Sequence, residues 1–256
     1  MRDNYFTFGT VDSRDYGVSI SGENEYLIPE RDYSTESIPG RLGDVLVNGT
    51  GVGNIIVQYP CLISPPYGNY ADLRSAFNAL KNALLALHGY VRLADTYDTS
   101  HYMMAAFRGG VDSDIWGHYE AAKFDIEFIA KPQRFLTSDT THTITDGSTT
   151  AITTNGLRGY PIFTLTGIGS FDVVVNGVTE ETVTIANNPF ANGMVIDCDR
   201  KVCYDAGDHS ATGNLFVSFS NYQFPEINRF GESMATTVDI VPSGLSGTVK
   251  VVWFEL

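Results

Sequence analysis

The stretch Asp197-Cys198-Asp199-Arg200-Lys201-Val202-Cys203-Tyr204-Asp205, followed by Asp208-His209, gathers two thiols, four carboxylates and an imidazole. Such a set offers soft and hard ligands to a metal ion, but its spacing fits no usual site. Cys-x4-Cys is not the Cys-x2-Cys of a zinc knuckle, the chain has no second such pair, and the carboxylates miss the spacing of a calcium loop. The segment reads as two strands and a turn.

Nucleophilic catalysis finds no better footing. There is no Gly-x-Ser-x-Gly elbow, Cys61 stands in no cysteine-protease context, and His88, His101, His118, His142 and His209 are scattered. Glycoside hydrolysis needs only two carboxylates across a cleft, yet no acidic pair stands in a context that would raise one pKa. The series Asn48-Gly49-Thr50-Gly51-Val52-Gly53 lacks the Lys-Ser/Thr ending of a phosphate loop and reads as a turn between two strands. No catalytic, cofactor or metal-binding residue is expected, and the chain is read as not an enzyme.

The elements that would position such groups are mostly strands. The 256 residues include 25 Gly, 14 Tyr and 15 Phe, a composition that favours strands and tight turns. A formal charge of −14 argues against a surface that grips nucleic acid by neutralising phosphates. No apolar run is long enough to span a membrane, and Met1-Arg2-Asp3-Asn4 lacks a signal-peptide core, so synthesis in the cytosol is expected, with reduced cysteines.

One helix is predicted from Tyr70 to about His88, with Leu73, Phe77, Leu80, Leu84 and Leu87 on one face to pack on a sheet. Asn69 is placed to cap its start, Asp72 sits near the positive end of its dipole, and Gly89 fits a left-handed C-terminal cap. Strands follow at Tyr90–Leu93, His101–Phe107 and Tyr119–Ile129, the last ending at Pro132 and showing strict alternation through Phe124, Ile126 and Phe128. Thr141–Thr145 and Thr149–Thr153 flank Asp146-Gly147 as the arms of a hairpin. Phe171–Val175 and Val183–Ile185 flank Asn176-Gly177 in the same way, and Thr248–Phe254 forms a closing strand. These patterns predict a mainly β chain in two domains, 1–136 with the helix and 137–256 as a β-sandwich.

Phe8-Gly9, Tyr16-Gly17-Val18, Pro29-Glu30-Arg31-Asp32 and Ile38-Pro39-Gly40-Arg41-Leu42-Gly43-Asp44 together resemble the opening of the distal tail protein family, the hub subunit of long-tailed bacteriophages. Read physically, these residues are turns closing the first domain, with Pro39 fixing one φ and Gly40 and Gly43 free to take positive values. Pro132-Gln133-Arg134 is similar to the Pro-x-Arg turn that closes the family's first domain. In the second half, Tyr160-Pro161-Ile162, Gly167-Ile168-Gly169, Val195-Ile196-Asp197 and Phe224-Pro225 resemble the family's galectin-like domain. The chain departs from it at Asn155-Gly156, where family members carry Asn-Pro-Gly, and at Phe230-Gly231-Glu232-Ser233 in place of a Pro-Gly-x-Asn turn.

The resemblance implies an N-terminal β-sandwich or barrel-like domain that builds a homo-oligomeric, hexameric ring, followed by a galectin-like β-sandwich. It implies a structural protein of the virion tail tip or baseplate, with the tail tube protein, the tail-associated spike or lysin, the tape measure protein and receptor-binding proteins as partners. Neither His142-Thr143-Ile144 nor His209-Ser210-Ala211 continues into the His-x-Asn-x-Arg strand of sugar-binding galectins. Trp253 is expected in a core or interface, and Trp116 in an exposed loop. A tail adhesin for host saccharide is the alternative reading, and a tail-associated hydrolase a third.

Overall fold

A computed structural model describes residues 4–22, 28–64, 70–109, 113–116, 121–228 and 234–256. The chain divides into two compact units, residues 1–137 and 138–255.

In the first unit the strands are β1 (Phe6–Phe8), β2 (Val11–Asp12), β3 (Val18–Ile20), β4 (Arg31–Glu36), β5 (Val45–Val52), β6 (Ile55–Ile63), β7 (Val91–Asp95), β8 (His101–Phe107), β9 (Ser113–Trp116) and β10 (Ala121–Leu136). Antiparallel pairing runs β3-β6-β10-β8-β7-β1, and a bridge between Asn4 and Ile20 joins the two ends so that the sheet closes on itself. Closure removes the open edges that an isolated sheet would expose. Alternate residues of β10 face inward: Phe128 meets Phe8 at 5.0 Å, Phe6 at 5.7 Å and Tyr59 at 6.1 Å between ring centroids. Tyr59 buries its ring and donates its hydroxyl to Asp95 Oδ2 at 2.6 Å, so its one polar atom is satisfied.

Helix α1 (Tyr70–Ala86) places Leu73, Leu80 and Leu84 in this core. Phe77 is half-buried and meets Phe124 edge-on at 5.3 Å, and Leu87, just past the helix end, is half-buried against the same core. The stripe of apolar residues therefore packs on the sheet of its own unit. Gly89 has φ +74, the left-handed value expected of a residue that follows a helix. Asn69 and the side chain of Asp72 lie outside the described residues.

Three expectations are corrected here. The Asn48–Gly53 run is not a turn: residues 48–52 belong to β5, which pairs with β4, and the chain turns at Gly53-Asn54. Arg31 and Asp32 likewise lie in strand β4 rather than in a turn. Pro132 does not end its strand. β10 runs on to Leu136, and Pro132 sits where the register against β8 shifts between Ala130 and Arg134, a bulge in which its missing N–H costs no ladder bond.

The second unit holds β11 (Thr140–Ile144), β12 (Thr150–Thr153), β13 (Arg158–Val175), β14 (Val178–Ile185), β15 (Met194–Asp197), β16 (Val202–Asp205), β17 (Val217–Phe219) and β18 (Thr237–Glu255). β13 and β18 pair along almost their full length and bend together near Gly167–Ser170 and Ser243–Gly247. Their halves on one side of the bend carry β15, β16 and β11; those on the other carry β14, β17 and β12. The result is two five-stranded layers that share their two longest strands. Phe163 and Phe171, one on each side of the bend, meet at 4.5 Å in the core between them.

The bend depends on glycine. A Cβ on Gly244, at φ +77, would lie 2.5 Å from Ile168 O, and one on Gly167, at φ +98, would lie 2.4 Å from Gly244 O. The Asp146-Gly147 turn caps the same corner, and this corrects the hairpin expected there. β11 and β12 pair not with each other but with the two halves of β18. Asp146 Oδ1 accepts from Gly244 N at 2.7 Å, and Asp146 N donates to Ser246 Oγ at 3.2 Å. Asn176-Gly177, with φ +51 and +80, makes the tight turn expected between β13 and β14.

Candidate functional site

The segment richest in reactive groups folds as the β15–β16 hairpin. Asp197 is buried and accepts from Arg200 N at 3.0 Å, which shapes the turn. Cys198 and Cys203 are buried and unoxidised; burial pushes both thiols up, Cys203 to about 12. Cys61 is pushed up to about 12 by burial and the Asp125 carboxylate. Thiols held so far above neutrality supply almost no thiolate, the form that attacks or binds metal. Among the described residues no group of three or more His, Cys, Asp or Glu is placed to hold a metal ion. Nor is any described helix long and apolar enough to cross a membrane.

Trp253 is buried and donates Nε1–H to Thr140 Oγ1 at 2.8 Å, within its own unit. The side chain of Trp116, all of His118 and residues 230–233 lie outside the described residues. His88 and His209 are exposed, and His142 is half-buried in β11.

Arg134 acquires a partner that sequence reasoning missed. Its guanidinium donates to Asp98 Oδ2, which also lies 2.8 Å from His101 Nδ1. Ser100 donates from Oγ to Asp98 Oδ1 at 2.5 Å and from its backbone N–H at 3.1 Å. Serine, histidine and aspartate thus meet, but without the geometry of a catalytic triad. Both Ser100 and Asp98 face the same ring nitrogen of His101, and the serine proton is committed to the carboxylate. Burial raises the Asp98 pKa, but hydrogen bonds from Ser100 and His101 outweigh it and hold the carboxyl below its usual value. Thr137 N donates to Ser100 O at 2.8 Å, so this cluster clasps the end of β10 to the loop between β7 and β8.

Gly17 also has a specific duty. At φ +69 it ends a single 3-10 turn, Ser13–Tyr16, and its N–H reaches Arg14 O, while its own carbonyl accepts from Ser64 N at 3.0 Å. Among the described residues, the polar hollow beside it is lined by Asn4, Tyr5, Arg14, Ser19, Ser64 and Thr96. Arg14 is already held bidentate by Asp12 at 2.5 and 3.0 Å and lies over the Tyr5 ring at 3.8 Å.

Pro39, Gly40, Arg41 and Gly43 form the tip that joins β4 to β5. Gly40 and Gly43 have φ +85 and +81, and Arg41 N donates to Ile38 O at 3.1 Å. This tip does not close the domain as expected. It is exposed throughout, and the hairpin is a two-stranded sheet of its own. Tyr33, Ile38, Leu42 and Leu46 are all exposed on it, Leu42 completely. A two-stranded sheet is marginal in water by itself, and this one carries four exposed apolar side chains.

Comparison with solved structures matches this arrangement from end to end. The structure of the SPP1 Dit protein, described as a paradigm of hub adsorption apparatus in phages infecting Gram-positive bacteria, superposes with a TM-score of 0.72 at 11% identity, covering all of both chains. The chain has the fold of a phage Dit protein. Two structures of the phage P2 baseplate in its activated conformation, with calcium and with strontium, give TM-scores of 0.53 and 0.52 at 10% identity, over all of this chain and 99% of theirs. No family model and no curated protein matches the sequence. The likeness to the SPP1 Dit structure extends over both units.

Proposed function

We propose that this chain is the structural hub of a phage or prophage tail tip. The observation that carries this reading is the correspondence with a Dit hub protein across the whole of both chains rather than over one domain. In this reading the first unit builds a hexameric ring that joins the tail tube to the spike or lysin at the tip and lets the tape measure and then the genome pass. The galectin-like second unit lies at the periphery, within reach of receptor-binding proteins. The protein works by assembly rather than chemistry.

The β4–β5 hairpin supports this assignment, because its exposed Tyr33, Ile38, Leu42 and Leu46 need a cover that a neighbouring copy provides. A heterologous contact of this kind closes into a ring when its rotation closes. The net charge of −14 suits a lumen through which nucleic acid slides without adhering.

Negative-stain images of the purified protein test the reading. Rings of six subunits around a central hole are expected. Particles without a hole, combined with saturable binding on a glycan array, would instead favour the adhesin reading.

A further inference from the structure

The outer face of the first unit's sheet carries an apolar band with two cations set in it. Alternate residues of β6, β10, β8 and β7 point away from the core, and the register lays them side by side: Ile56 pairs with Ile129, Ile129 with Ala106, and Arg92 with Met104. Lys131 enters the β10 bulge that faces Met104. Ile56 on β6 and Tyr90 just before β7 are 46% and 42% exposed.

Both cations are held over rings rather than by carboxylates. The Arg92 guanidinium lies 4.2 Å over Tyr102, which stacks on buried Phe135 at 5.3 Å. Lys131 Nζ lies 5.3 Å over Tyr90, whose hydroxyl accepts from Asn54 Nδ2 at 2.7 Å. Glu127, on the same face of β10 as Ile129, is matched by Arg108, and Asp98 by Arg134. Among the described residues, Arg92 and Lys131 have no ion-pair partner. A cation positioned on a ring keeps its N–H groups for an acceptor and loses less freedom when one arrives.

The complementary surface lies on the same chain. Leu46 pairs with Thr35, so Tyr33, two residues before Thr35, shares its face of the β4–β5 hairpin. Both are exposed, as are Ile38 and Leu42 at the tip. Glu36 stands between Tyr33 and Ile38, and Asp44 between Leu42 and Leu46; both carboxylates are exposed, with Arg41 as the tip's own cation. Four residues from Leu42 to Leu46 span at most about 14 Å, and the three inter-strand steps from β6 to β7 also span about 14 Å. An apolar arm with two carboxylates therefore matches an apolar band with two cations in sign and in length. Ile56 and Tyr90 are exposed with the chain's own hairpin in place, so the arm that covers them comes from another copy.

We infer that the β4–β5 hairpin of one copy docks on this band of the next, with Glu36 and Asp44 pairing with Arg92 and Lys131. Every copy carries both surfaces, so the contact repeats head to tail and closes when its rotation does. The inference rests on the assembly reading and names the surface that receives the hairpin.

The test is charge reversal in the full-length protein, read by light scattering. An arm variant carries Glu36→Lys and Asp44→Lys, and a face variant carries Arg92→Glu and Lys131→Glu. Each is expected to shift toward the monomer while its melting temperature stays within about 3 °C of wild type. A 1:1 mixture should recover the mass of six chains, because alternating the two variants around an even ring restores opposite charges at every contact. The milder face variant, Arg92→Gln with Lys131→Gln, covers the case of a reversal that does not fold, and is expected to weaken assembly at least about fivefold. Wild-type rings that both reversals leave intact, assembly lost in the face variant alone, or a mixture that stays monomeric would each overturn the inference and leave the assembly reading standing. A wild type that is monomeric at every concentration would overturn both.

Discussion

Arg134 and Asp98 are joined by an ion pair across thirty-six residues of sequence. Through it the end of β10 is fastened to the loop before β8, and Thr137 is fastened in turn to the carbonyl of Ser100. The arginine of Pro132-Gln133-Arg134 thus finds its partner in a carboxylate outside the motif.

Asp98→Asn removes the charge while keeping the shape. It is expected to destabilise the first unit by about 1 to 2 kcal/mol at pH 7, since the groups are partly exposed and charge-assisted bonds at such sites are weakened by solvent. Because the folded-state pKa is lowered, the advantage of aspartate is fully present above the unfolded value of about 3.9 and is lost as the pH falls through the folded value. Urea denaturation at pH 7 and pH 3 checks this: wild type and Asp98→Asn should differ at the first pH, and the difference should shrink at the second.

Leu84 is buried in the core under the helix, whereas Leu85 is half exposed. Leu84→Ala is expected to cost about 2 to 5 kcal/mol through lost burial and the cavity left behind, and Leu85→Ala less than about 0.5 kcal/mol. Leu84→Asp should not fold, because it buries an unpaired carboxylate. Chemical denaturation of the three variants is the measurement. Similar losses for both alanine variants would mean that the helix does not pack through this stripe.

The corner of the second unit separates two effects of glycine. Gly147 has φ +71 with open space around it, so alanine there is expected to cost about 1 to 2 kcal/mol from backbone strain alone. At Gly244 the added Cβ would also strike Ile168 O at 2.5 Å, and the cost should exceed about 3 kcal/mol. Thermal unfolding of Gly147→Ala and Gly244→Ala gives the comparison. Equal losses would remove the close strand crossing from the account of this fold.

How much was legible follows from the range of each signal. The helix stripe from Leu73 to Leu87 and the Asn176-Gly177 turn are written in residues close together, so periodicity and turn chemistry reveal them. The Asp146-Gly147 turn looks the same in sequence whether its arms pair with each other or straddle a corner. The choice is made about a hundred residues later, where β18 bends at Gly244 and offers each arm half of a long strand. Pro132 misled for a related reason: a proline stops a regular ladder but is tolerated in a bulge. The Asp98–Arg134 pair leaves no local mark. The glycines of the β4–β5 tip were legible as turn residues, but that the turn stands out from the unit rather than closing it was not.

Exposure of the tip makes Arg41 accessible to trypsin. If neighbouring copies cover the hairpin, cleavage after Arg41 should be rapid in dilute protein and slow in concentrated, assembled protein. Mass spectrometry of timed digests follows this one bond, and a rate independent of assembly would place the hairpin outside the ring contacts.

The central claim is that the chain assembles through its first unit. Light scattering on the purified full-length protein tests it most directly when paired with a variant carrying Ile38→Ser, Leu42→Ser and Leu46→Ser on the hairpin. The account expects a wild-type mass of six times the 28.0 kDa chain and a shift of the folded variant toward the monomer. A wild type that stays at 28.0 kDa at every concentration, with or without the tail tube protein, would contradict it.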